Sequence, residues 1–162
     1  METKKHPLLL IGRREYIDLP LLGINGIEAK FDTGAYTSSI HCENIFVHNK
    51  NDKSILSFSV SQTIHGVEQS KTFYFEEFSK KKIKNSFGEL EERYTIKTII
   101  KFSSKKIRAT LSLSNREKMR YPVLIGRKVI KGKFIIDVNK IHTNGIKIKK
   151  AFKHLLKPKN KI

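Results

Sequence analysis

The sequence predicts an all-β domain, a small barrel or sandwich built from many short strands. Short β-prone runs rich in Ile, Val, Phe, Tyr and Thr recur along the chain. Gly, Pro, Asn and Ser punctuate them at short intervals, leaving only Gly126 to Ile130 and the tail to read as helix. At 162 residues the chain is long enough for one domain with a real core and too short for two comfortable ones.

The elements follow in order. Leu8 to Ile11, Glu15 to Leu19 and Ile27 to Phe31 are strands, separated by Gly12, Pro20 and the Gly23-Ile24-Asn25-Gly26 turn. Ile55 to Val60 alternates apolar residues with serine, and Lys71 to Phe75 is aromatic and β-prone, with a hairpin tip between them at Gln62 to Val67. Tyr94 to Phe102 and Ile107 to Leu113 alternate and are joined by Ser103-Ser104-Lys105-Lys106. Val123 to Ile125 and Phe134 to Val138 complete the set around the short helix. The division is a domain over residues 1–144 and a lysine-rich tail over 145–162, which reads as solvated chain. Leu10-Ile11-Gly12-Arg13-Arg14 is echoed by Leu124-Ile125-Gly126-Arg127-Lys128, suggesting two related halves of which one carries an acid at Asp32.

Composition restricts function. Hydrophobic residues at 38% and ten phenylalanines support a folded chain. The formal net charge of +18 attracts nucleic acid, an anionic surface or an acidic peptide. Part of that excess follows from a general richness in Lys, Asn and Ile. Cys42 is the sole cysteine, so no intrachain disulfide framework exists. The apolar run Leu8-Leu9-Leu10-Ile11 is too short for a signal peptide or a spanning helix, and a cytoplasmic, membrane-free setting is expected.

Phe31-Asp32-Thr33-Gly34-Ala35 is the most informative stretch. An acid, a small hydroxyl residue and a glycine at the end of an apolar strand suit a tight loop that presents a carboxylate. The same residues also suit an ordinary Asx turn. Competing chemistries fail on spacing: no His-Glu-x-x-His, Gly-x-Ser-x-Gly or phosphate-binding Gly-x-x-x-x-Gly-Lys occurs. His41-Cys42 with His48 and Glu43 is a weak zinc candidate, and no metal or other cofactor is expected. A Cys42 nucleophile lacks any visible activating base.

Several separated motifs together carry a family resemblance. They are Ile11-Gly12-Arg13-Arg14-Glu15-Tyr16, Leu19-Pro20, Ala29-Lys30, Asp32 to Ser38, Ser86-x-Gly88-x-x-Glu91-x-Arg93, and Met119-Arg120-Tyr121-Pro122-Val123-Leu124-Ile125-Gly126-Arg127. In this order the chain resembles, from Leu8 to Asp137, the retropepsin-like family often labelled ATP-dependent zinc protease and associated with ATP-grasp ligases that add glutamate. The resemblance implies a closed retropepsin-like β-barrel with one short helix, aspartic peptidase chemistry and a homodimer contributing one Asp32 per chain. It implies Asp32, Thr33 and Gly34 as the catalytic turn, and Leu124-Ile125-Gly126 as the element packed behind it. Ala35, Arg13, Ser86, Gly88, Glu91, Arg93 and Arg127 are the expected substrate contacts. Tyr36 departs from the arginine common in the family, removing one charge beside the site. Two facing carboxylates would share a proton and activate water, the arrangement for which aspartic proteases are the standard example. Lys81, Lys82, Lys84, Arg93, Arg13 and Arg127 would draw an acidic or glutamate-rich peptide into the cleft. The rival reading is a non-catalytic basic β-barrel that binds RNA or an acidic protein, with Asp32 structural.

Overall fold

A computed structural model describes residues 7–115 and 120–148. Met119 of the last family motif and residues 149–162 of the lysine-rich tail lie outside the described residues.

Among the described residues thirteen strands follow one another: β1 (Leu9–Gly12), β2 (Arg14–Leu19), β3 (Ile24–Phe31), β4 (Ser38–His41), β5 (Glu43–Lys50), β6 (Lys53–Ile64), β7 (Val67–Phe75), β8 (Ser79–Lys84), β9 (Leu90–Phe102), β10 (Lys105–Ser114), β11 (Val123–Ile125), β12 (Phe134–Asp137) and β13 (Ile146–Lys147). A 3-10 turn covers Pro20–Leu22, and α1, a single helical turn, covers Arg127–Ile130 where the sequence placed its helix. Six strands close on themselves in the order β10, β4, β11, β3, β2, β9, with β9 pairing back to β10; β8 extends β9 as an edge. The expected closed barrel is therefore present.

Alternation explains the closure. Along β9, Ile96, Thr98, Ile100 and Phe102 are buried, whereas Lys97 and Lys101 are exposed. A register shift between Ile17 and Leu19 bends β2, and Asp18 there accepts a 2.9 Å bond from the Gly26 amide. Gly26 has φ +65°, so the turn suits glycine. One end of the barrel is covered by the sheet β12-β1-β13, where Phe134 packs edge-on to Phe31 at 5.5 Å and to Phe102 at 5.8 Å between ring centroids. Each such buried ring contributes roughly 1.5–3 kcal/mol. β5, β6 and β7 form a separate three-stranded sheet whose core is Phe58 between Phe73 and Phe75.

The tip predicted between Gln62 and Val67 is a two-residue turn at His65 and Gly66, both with positive φ. β4, β5, β8 and β13 are additional to the strands read from sequence. β8 is Ser-Lys-Lys-Lys-Ile-Lys, with its lysines exposed, and borrows its conformation from pairing with β9. β13 pairs antiparallel with β1, so residues 146 and 147, at the start of the lysine-rich stretch, lie within a sheet.

Candidate active site

Asp32 lies where β3 leaves its parallel partner β11, and its amide still donates to the Ile125 carbonyl at 2.8 Å. The chain then turns on the Asp32 side chain. Oδ1 accepts the Gly34 amide at 2.9 Å, and the Asp32 carbonyl accepts the Ala35 amide at 3.3 Å. The carboxylate is half-buried, Thr33 and Gly34 are exposed, and neither Asp32 Oδ2 nor the Thr33 hydroxyl has a hydrogen-bond partner among the described residues. One carboxylate oxygen is thus spent on shaping the turn and the other is unengaged among the described residues.

The Leu124-Ile125-Gly126-Arg127 segment holds this turn from behind. The Arg127 amide donates to the Ala35 carbonyl at 2.8 Å and the Lys128 amide to the Tyr36 carbonyl at 3.1 Å. The Arg127 guanidinium donates to the Thr33 carbonyl at 3.0 Å and lies 5.8 Å from the Tyr36 ring centroid. Arg127 is therefore a brace of the turn, with its charge beside the exposed Tyr36. The Gly126 amide donates to Ser38 Oγ at 3.0 Å, a buried contact the sequence reading did not single out. A methyl group on Gly126 would sit 2.7 Å from the carbonyl oxygens of Tyr36 and Thr37. Because those atoms are backbone, relief requires moving the Asp32 turn itself. Gly126→Ala should cost about 1–3 kcal/mol in a urea titration and depress cleavage more than the stability loss explains. Unchanged stability would show that the turn yields freely.

The echo noted in the sequence acquires a structural meaning and a correction. The first copy, Leu10 to Arg13, runs parallel to β12 and lies behind a turn at Asp137. There Asp137 Oδ1 accepts the Asn139 amide at 3.0 Å, and the Asp137 carbonyl accepts the Lys140 amide at 3.1 Å. The Arg13 amide donates to the Lys140 carbonyl at 3.0 Å, and the Arg13 guanidinium to the Val138 carbonyl at 2.9 Å. Each bond has its counterpart at Asp32, and Gly12 meets the Lys140 carbonyl as Gly126 meets Tyr36. Both halves therefore carry an acid. The copies are crossed: each Leu-Ile-Gly-Arg string supports the turn that follows the other. Val138 and Asn139 stand where the Asp32 turn has Thr33 and Gly34.

The remaining expected contacts fall on other elements. Arg13 serves the Asp137 turn, although its carbonyl accepts the Phe31 amide at 2.9 Å and so lies next to Asp32 in the chain. Ser86 and Gly88 are at the exposed tip of the β8–β9 hairpin, where Asn85 Oδ1 accepts the amides of Phe87 and Glu89, each at 3.0 Å. Glu91 and Arg93 pair with each other on β9, and the Arg93 side chain is buried at 7% exposure. That burial takes Arg93 out of the set of exposed steering charges. No hydrogen bond or ion pair joins this hairpin to the Asp32 turn among the described residues.

The weaker candidates have ordinary structural occupations. His41 approaches Glu43 at 3.9 Å, while His48 packs between Phe46 and Tyr74. Cys42 is buried, and burial above all pushes its thiol up to about 12, with a smaller push from Glu43 and an opposing hydrogen bond at Ser114. Cys42 should resist alkylation in the folded protein at pH 8 and react fully in denaturant. Rapid labelling of the native chain would overturn this assignment.

A closed barrel that presents an Asp-Thr-Gly turn over an apolar-apolar-Gly-Arg support defines a retropepsin-type acid-protease fold. The chain belongs to the RimB-like family, described as retropepsin-like aspartic endopeptidase RimB, whose model matches residues 10–147. Among curated proteins, it is 34% identical over 132 residues to a probable alpha-L-glutamate ligase of Shewanella halifaxensis and 36% identical over 128 residues to one of Desulfotalea psychrophila. Each match covers 79% of this chain but 28% of the relative, so the chain spans little more than a quarter of their length. Among solved structures, a Legionella pneumophila protein of unknown function superposes with a TM-score of 0.64 at 28% identity, covering 83% of this chain and 97% of that one.

Proposed function

We propose that the chain is one subunit of a homodimeric aspartic-type endopeptidase in which Asp32 of one subunit faces Asp32 of a second. The observation that carries this reading is the Asp32 turn, which leaves Oδ2 and the Thr33 hydroxyl without partners among the described residues. Two facing carboxylates a few ångströms apart hold one proton between them, and their titration belongs to the pair. The ionised member takes a proton from water as the water oxygen attacks the scissile carbonyl carbon. The protonated member donates to the carbonyl oxygen, and collapse of the adduct sends a proton to the leaving amine nitrogen. Thr33 braces the two turns against each other, Gly34 lets substrate backbone approach, and Ala35 lines the floor. The β8–β9 hairpin covers the cleft as the flap, with Ser86 and Gly88 at its tip and Glu91 and Arg93 stiffening its base.

The substrate is an acidic or glutamate-rich peptide. The net charge of +18 favours it, as do relatives whose names denote glutamate ligation, whose product such a peptidase would trim. The functional partner is then an ATP-grasp glutamate ligase, and the setting is cytoplasmic. No helix among the described residues is long and apolar enough to cross a membrane. The test is digestion of a peptide mixture by the chain and by its Asp32→Asn variant. Acidic peptides should be cleaved faster than neutral ones at low salt, with the gap closing as salt rises. Equal rates at low salt would reject charge selection. Undiminished cleavage by the variant would reject the mechanism.

A further inference from the structure

A cavity of about 660 Å³ lies between β8, the outer face of the β9–β10 ribbon, and the segment that follows the Asp32 turn. Thr37 and Ser38 line it on the side of the catalytic turn, and Lys128 and Val129 of α1 line it below. Four cationic side chains surround it, Lys81, Lys97, Arg108 and Lys128, against the single acid Glu77. None of the four makes an ion pair or a side-chain hydrogen bond among the described residues, although Lys53 and Lys80 each hold a glutamate elsewhere.

A second observation is independent of charge. Ser112, which shares the outer face with Thr110 and Arg108 along β10, also lines this cavity, is exposed by only 1%, and carries a hydroxyl with no hydrogen-bond partner. A buried hydroxyl left unpaired costs free energy, and such groups are rare in folded proteins. One on the wall of a cavity ringed by four such cations is the complement of a ligand rich in acceptor oxygens. A carboxylate has that chemistry: it accepts several hydrogen bonds and carries the opposite charge.

The wall formed by β8 favours an extended peptide as the bearer of that carboxylate. β8 ends the sheet, so its outer edge can accept an added strand. Lys80, Lys81, Lys82 and Lys84 on that edge repel a second basic copy of the chain and admit an acidic one. We infer that this cavity is an acidic side-chain subsite, which takes a glutamate or aspartate carboxylate of a peptide laid along β8 next to the Asp32 turn. The inference rests on the peptidase reading for its link to cleavage, but binding alone tests it.

The experiment measures binding of a fluorescent oligoglutamate peptide to the Asp32→Asn chain at fixed low salt, so that neither cleavage nor the catalytic mechanism enters. Lys97→Ala with Arg108→Ala should weaken binding about tenfold. Lys50→Ala with Lys71→Ala, an equal loss of charge on the separate three-stranded sheet, should change it far less. Equal losses from the two pairs would reduce the effect to general attraction and overturn the subsite. Ser112→Ala supplies a second arm. Removing an unsatisfied buried hydroxyl should leave the melting temperature unchanged or raised while still weakening the peptide. Unchanged affinity in that variant would overturn the assignment. A single-stranded RNA that displaces the peptide and shows the same dependence on Lys97 and Arg108 would overturn the choice of a peptide ligand.

Discussion

Asp32→Asn should lower peptide cleavage by about four orders of magnitude while the protein stays folded. The separation of the two effects follows from the two carboxylate oxygens. The amide oxygen of asparagine still accepts the Gly34 amide, so the turn keeps its shape, and the denaturation midpoint should move by less than about 0.5 kcal/mol. What disappears is the ionisable oxygen that, in the proposed mechanism, removes a proton from water. A shared site makes a further demand on mixtures. Adding a large excess of the variant to the native chain, under conditions that allow subunit exchange, should suppress activity beyond simple dilution. Activity that tracks the native chain alone would reject the shared site. Asp137→Asn is the internal control, since Asp137 occupies an equivalent turn flanked by Val138 and Asn139 in place of the threonine and glycine. It should leave the cleavage rate essentially intact. A loss as large as that from Asp32→Asn would instead place both carboxylates in one chain.

Much of this architecture was legible because local chemistry agreed with the fold. Val123 to Ile125 is recovered without error, and Phe134 to Val138 to within one residue, because short β-branched and aromatic runs stand between strong turn residues. β8 was illegible for the opposite reason: Lys80 to Lys82 carry no alternation, and only the partner strand β9 gives them strand geometry. The Asp32 turn was legible as a turn from Asp32, Thr33 and Gly34, whereas its twin was hidden because Asp137-Val138-Asn139 shares the backbone hydrogen bonds but only one residue type. The Leu-Ile-Gly-Arg echo was the signal that could have found it, had the copies been paired crosswise. Arg93 shows a limit of another kind. The family motif implied a substrate contact and its charge a steering role, but whether a guanidinium is exposed or folded onto Glu91 depends on the strands around it, and only the steering role is lost to burial.

Glu15→Ala should be the most destabilising single change at the base of the site, by about 3–4 kcal/mol. Glu15 is fully buried on β2, in a motif whose arginine neighbours invite a functional reading. Its carboxylate is instead an acceptor for the chain itself. Oε1 takes the Gly12 amide at 3.0 Å, the Thr143 amide at 2.9 Å and the Thr143 hydroxyl, and Oε2 takes the Asn144 amide at 3.4 Å. One side chain thereby ties the bend between β1 and β2 to the segment beyond the Asp137 turn. Alanine would leave several buried donors without an acceptor, and each such donor costs about 1–3 kcal/mol before any relaxation. Glu15→Gln keeps one acceptor oxygen but turns an amide group toward existing donors, so its loss should be smaller and still measurable. Urea midpoints for the two variants at constant slope are the measurement. A loss below about 1 kcal/mol for alanine would mean that water or a shifted backbone replaces the carboxylate. The catalytic consequence is indirect and has its own signature. The Arg13 carbonyl, beside Gly12, accepts the amide of Phe31, one residue before Asp32. Loosening the bend should therefore lower kcat more than it raises KM, because it disturbs the position of the carboxylate and leaves the β8 wall proposed to hold the peptide untouched.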